Sequence, residues 1–128
     1  MRDYRNLRVW QKAHQLGVDA YALPEYLQEP RGWALRDQIL KAVISISSSV
    51  AEGAGRGSDP DFARFLWYSM GSCNEFESDL LLGGAVKLIP APILTSLGDQ
   101  VSGVRRDLTR LIQTVKGAGS REPRAGSR

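Results

Sequence analysis

The stretch from Phe62 to Gly83, FARFLWYSMGSCNEFESDLLLG, puts apolar or small residues at Phe62, Leu66, Ser69, Cys73, Phe76, Leu80 and Gly83. The steps alternate four and three. A second run repeats the rhythm through Leu94, Leu97, Val101, Val104, Leu108, Leu111 and Val115. An average step of about 3.5 residues is the period of a helix seam packed at a shallow angle against other helices. No segment alternates apolar and polar residues as a half-buried strand does. Two long seams in so short a chain predict an all-α helical bundle.

Working outward, turn signals divide the 128 residues into four helices. The first is predicted from about Tyr4 to Tyr21, its apolar face made by Leu7, Trp10, Ala13, Leu16, Gly17, Ala20 and Tyr21. Pro24 and the segment to Gly32, with Pro30, read as a connector. The second helix is predicted from Trp33 to about Gly53, and Gly53-Ala54-Gly55-Arg56-Gly57 should end it by tolerating positive φ. Ser58-Asp59-Pro60-Asp61 starts the third: Ser58 or Asp59 caps free amides, Pro60 fits the first turn and Asp61 favours the positive end of the dipole. That helix should reach Leu82 or Gly84. Ile89-Pro90-Ala91-Pro92 opens the fourth, which should run to Lys116. Similar lengths and short connections favour an antiparallel, up-down-up-down order. Residues 1–116 then form the bundle, and 117–128, rich in Gly, Ser, Arg and Pro, are expected to be a disordered basic tail.

One lone cysteine, Cys73, cannot form an internal disulfide, and it falls on a seam where a buried thiol is the plain reading. No stretch approaches the roughly 20 apolar residues of a membrane span. The opening residues lack a secretory h-region, which leads to an expected cytoplasmic location. Of the net charge of +3, the last twelve residues supply +2, with Arg121, Arg124 and Arg128 against Glu122. The remainder is nearly neutral but uneven. Arg2, Arg5, Arg8 and Lys12 face Asp3 at one end of the sequence, and Arg105, Arg106, Arg110 and Lys116 face Asp107 at the other. Between them Asp59, Asp61, Glu75, Glu77 and Asp79 outnumber Arg64. Such polarity suits a charged partner or subunit-to-subunit complementarity.

Chemistry is sparse. His14, the one histidine, has no carboxylate or cysteine cluster to complete a metal site, and a packed or hydrogen-bonded helix histidine is the bland reading. Cys73 would need a base brought to it in space, and Glu52 reads as a partner for a helix end, Arg56 or Arg64. Glu75 and Glu77 lie on opposite sides of a helix. The glycine-rich loop lacks a P-loop lysine and follows a helix rather than a strand. No catalytic residue, metal ligand or cofactor is assigned. Arg5, Arg8 and Lys12 recur at helical steps, which makes them either phosphate ligands or a solvated amphipathic face. Lys41, Arg56, Arg105, Arg106 and Arg110 complete the nucleic-acid-binding candidates. Helix two is apolar nearly all round from Ile39 to Ile46, and Phe65, Trp67, Tyr68, Met70 and Leu80-Leu81-Leu82 flank the seam of helix three. A bundle helix buries one face, so this surplus predicts a homo-oligomer; scattered exposed apolar residues are the alternative.

Three strings carry a family resemblance. Leu7-Arg8-Val9-Trp10-Gln11-Lys12-Ala13-His14 resembles the "L-x-V-W-Q-x-A-H" opening of small bacterial four-helix proteins named for intervening sequences in 23S ribosomal RNA genes. Ser45 through Arg56 is similar to their "S-I-P-x-N-I-A-E-G-x-G-R" segment, with Ser47 and Ser49 replacing Pro and Asn. Phe62, Phe65-Leu66, Gly71-Ser72 and Glu75 through Leu80 resemble their third-helix pattern. Gln38-Ile39-Leu40-Lys41-Ala42 departs from a frequent "Q-I-R-R-A" by one basic residue. The resemblance implies an antiparallel bundle assembling as a ring-like homopentamer, with no catalysis. Through the related accessory variability protein of diversity-generating retroelements, it also implies RNA or DNA and a reverse transcriptase as partners. A scaffold that binds only protein is the competing expectation.

Overall fold

The computed structural model describes residues 2–116, so the expected tail at 117–128 lies outside the described residues. They form four helices, α1 Arg8–Ala20, α2 Pro30–Ala54, α3 Asp59–Ala85 and α4 Ala91–Lys116, with short 3-10 turns at Tyr4–Asn6 and Leu23–Tyr26 and no strand among the described residues. Each helix packs on its sequence neighbour, and α4 closes against α1. Cross-helix pairs fix the antiparallel order. Ser72 Oγ donates to Ser45 Oγ at 2.8 Å and Ser69 Oγ to the Ile46 carbonyl at 2.7 Å, so residue numbers rise on α3 as they fall on α2.

All seven seam residues of α3 are buried, and Phe62 and Phe76 are the largest fully buried side chains. On α4 the seam residues Leu97, Val101, Val104, Leu108 and Val115 are buried, and only between the last two does a neighbour replace the expected residue, Ile112 being buried while Leu111 stays half-buried. A straight helix turns 3.6 residues at a time, so against a 3.5-residue seam two neighbouring positions can compete for the inward face, as Leu111 and Ile112 do.

Four local expectations are revised. The first helix is not continuous from Tyr4, because Leu7 is extended at ψ 123° and separates the 3-10 turn from α1. Asp3 caps that turn by accepting from the Arg5 amide. Second, the connector between α1 and α2 is part of the core, with Leu23 and Leu27 fully buried. Third, α2 begins at Pro30 instead of Trp33, as proline's fixed φ suits a first helical turn. Fourth, the α2 terminus does not use positive φ: Gly55 caps it at φ −84°. The glycine required here is Gly53, where a Cβ would stand 2.7 Å from Phe65 Cβ and 3.1 Å from Phe62 Cδ1. Its missing side chain lets the end of α2 close onto the start of α3. Among the described non-glycine residues, positive φ occurs at Lys87, at 64°, in the turn into α4.

Most of the apolar surplus on α2 and α3 is absorbed within the chain. Phe65 is buried, and Leu40, Trp67 and Met70 pack half-buried against the core. What remains exposed is Val18, Tyr21 and Ile44 around the α1/α2 groove, Trp33 in the first turn of α2, Tyr4 before α1, and Leu81, Leu82 and Val86 toward the end of α3.

Candidate nucleic-acid interface

Antiparallel packing of α1 against α4 joins the two basic clusters that stand at opposite ends of the sequence. Asp107, on α4, is their meeting point, with a side chain only 11% exposed. Lys12 Nζ lies 3.0 Å from its Oδ2, Arg110 Nη1 3.6 Å from its Oδ1, and Arg8 Nε 4.0 Å from Oδ2. Arg8 and Arg110 nevertheless leave most of their side chains in solvent. Three cations thus share one carboxylate, and their surplus charge faces outward. Arg106, one turn before Arg110, is exposed, and no ion pair reaches it among the described residues. Asp99 borders the far end of this face, where it lines a shallow cleft with Lys12 and Gln15.

The other candidates fall elsewhere. Arg5 is held by Asp3 through its Nε at 3.1 Å, and the break at Leu7 takes it out of helical register with Arg8 and Lys12. That hydrogen-bonded pair holds the Asp3 carboxyl below, and the Arg5 guanidinium above, their ordinary ranges. Arg2, which the sequence grouped with them, instead ties the chain start to the α2/α3 end. Its amide donates to the Ala54 carbonyl, its Nη2 bonds Asp59 at 2.7 Å, and its guanidinium covers the Phe62 ring. Arg56 pairs with Glu52 at 3.2 Å and lies 4.6 Å from the Phe65 ring centroid. Arg105 turns away from α1 and grips both Glu77 oxygens, at 3.2 and 3.1 Å, which raises its pKa further. Lys41 is exposed on α2, and no ion pair reaches it among the described residues. The structure therefore groups Arg8, Lys12 and Arg110 around Asp107, places Arg106 with Arg105 in a neighbouring cleft lined also by Ser102 and Thr109, and separates Arg5, Lys41 and Arg56 from the Asp107 group.

The catalytic alternatives do not assemble. Cys73 is fully buried, and burial pushes its thiol up to about 12, which leaves almost no thiolate at neutral pH. His14 is exposed and stacks on Trp10, with centroids 4.8 Å apart, on the side of α1 that faces the α1/α2 groove. Glu52 is the salt-bridge partner of Arg56, as its position suggested. No group of three or more His, Cys, Asp or Glu able to hold a metal ion occurs among the described residues. None of the described helices is long and apolar enough to cross a membrane.

The sequence pattern missed the union of the two clusters and the place of Asp107 within it. The signal was present in the matched spacing of cations at the start of the first helix and the end of the fourth, which an antiparallel order brings side by side.

Comparison with known proteins places this geometry in a family. A solved structure from Bacteroides thetaiotaomicron, described as a protein of unknown function from the S23 ribosomal protein family, is similar in fold with a TM-score of 0.77 at 24% identity. The similarity covers 81% of this chain and 97% of that one. No curated protein matches. The family model of the 23S rRNA-intervening sequence protein matches residues 5–110. The chain belongs to the 23S rRNA-intervening sequence protein family.

Proposed function

We propose that this chain is a non-enzymatic scaffold or accessory protein whose α1/α4 face holds RNA or DNA by its phosphates, in a ring-like homo-oligomer of five copies. The observation behind the reading is the convergence of Arg8, Lys12 and Arg110 on one carboxylate. Arginine forks and lysine ammonium groups are the usual phosphate ligands, and such contacts position a backbone without reading its sequence. Each bundle supplies only a few contacts. Repetition around a ring makes weak contacts effective, provided one nucleic acid spans several subunits. The exposed Val18, Tyr21, Ile44 and Leu81-Leu82 supply apolar surface for the contacts between copies. A reverse transcriptase would be a further partner of the same accessory role, and the cytoplasm its setting.

A second reading, a scaffold that binds protein alone, is favoured by the apolar groove between α1 and α2 lined by Val18, Tyr21, Val43 and Ile44. Retention of purified protein on RNA and on DNA across a salt series separates the two. The first reading expects sequence-independent binding that weakens steeply with salt. Absence of binding at low salt would give the lead to the second. Truncation after Lys116 is the control, because the arginines beyond it can bind polyanions by themselves.

A further inference from the structure

The cationic face has an opening in it. Between the start of α1 and the end of α4 lies a cleft of about 290 Å³ with an apolar floor made by Leu7, Val9 and Leu111. Arg8 and Arg110 stand at its rim, and Thr114 and Asp107 complete the lining. A surface that only tracked phosphates would need no apolar recess among its cations. The geometry points to a pocket for one unpaired nucleobase, so that the ligand of this face is single-stranded nucleic acid; the inference rests on the phosphate-binding reading above.

The chemistry of each wall fits a base. Leu7 and Leu111 are half-buried and present apolar surface to a ring that has left its stack. The Arg8 and Arg110 side chains, 81% and 74% exposed, are free to lay their guanidinium planes over it or to take the flanking phosphates. The Thr114 hydroxyl, whose proton goes to the Arg110 carbonyl, keeps an acceptor lone pair for an exocyclic amino group. In a duplex the bases stay paired and stacked, so only the backbone can reach the face, whereas a single strand can turn one base inward. The recess is therefore a source of preference for single strands over duplexes of equal charge.

The test compares three probes at one ionic strength: a mixed-sequence single-stranded oligonucleotide, the matching duplex, and a single strand of abasic sites with the same number of phosphates. The protein is truncated after Lys116 so that the tail contributes nothing. The normal single strand is expected to bind about tenfold tighter than the abasic one, as removal of a stacked base implies, and also tighter than the duplex. Thr114→Leu narrows the cleft from an exposed position while keeping every cation and adding no ring for a base to stack on, and should bring the normal strand down toward the abasic level with duplex binding unchanged. Helix content by circular dichroism verifies that this variant is folded, and the abasic comparison stands without any variant. Equal binding of all three probes, untouched by Thr114→Leu, would overturn the base pocket and leave the phosphate face intact. Failure of every probe to bind at low salt would overturn both.

Discussion

Asp107 holds three cations together and also repels any phosphate that approaches them. Replacing it by asparagine keeps the shape and removes the one negative charge that they share. Asp107→Asn should therefore tighten binding to nucleic acid and steepen its salt dependence, both measurable by fluorescence anisotropy. Weaker binding by a folded Asp107→Asn protein would mean that the carboxylate positions the cations and that this matters more than its charge. Asp79 offers a test of a different kind. Burial, with the like charge of Glu75 one turn away, raises its carboxyl above the ordinary 3.8. A raised pKa means that folding favours the protonated form: that contribution is fully present below pH 3.8 and is lost as pH climbs through the raised value. Asp79→Asn should accordingly stabilise the protein at pH 7 by a few tenths of a kcal/mol, the scale of a like-charge i,i+4 pair. The gain should vanish toward about pH 3 in thermal melts.

At the scale of the helix, the periodic seams were legible and the exceptions were not. Every α3 seam position read from the sequence is buried, since a 3.5-residue repeat leaves little choice of inward face. Leu7 defeated the same reasoning, because apolar spacing carries no information about one extended residue between two helical turns. Leu23 and Leu27 were overlooked because proline-rich connectors are read as solvent-exposed, whereas this one folds a 3-10 turn over the core. Gly53 was assigned to conformation when its role is clearance. Gly53→Ala should therefore cost about 1–3 kcal/mol, the usual range for overpacking, although alanine is the better helix former. Its new methyl would meet Phe65 Cβ, a side-chain atom fixed to the α3 backbone. A denaturation midpoint equal to that of the unaltered protein would show that the two helices separate without strain.

For the whole molecule, topology turned two unremarkable charge runs into one face. The sequence displayed Arg2, Arg5, Arg8 and Lys12, and Arg105, Arg106, Arg110 and Lys116, as separate clusters, and which helices lie side by side is a tertiary fact that periodicity does not contain. Association between copies belongs to this scale as well. Ile44 is 49% exposed, so it belongs to the surface of the bundle and not to its core. Ile44→Glu should dissociate an assembly, seen as a fall in mass by light scattering, with helix content unchanged. The mass of a single bundle before any substitution would rule out the ring.

If phosphates meet the cations around Asp107, binding must respond to salt through those side chains, and that dependence is the most direct measurement. With the tail removed after Lys116, log Kobs for a single-stranded oligonucleotide should fall linearly with log salt. In the triple variant Arg8→Gln, Lys12→Gln, Arg110→Gln, the slope should be shallower by roughly 0.7 for each phosphate no longer neutralised, and affinity should drop at every salt concentration. A folded triple variant with the same affinity and the same slope would contradict phosphate binding at this face.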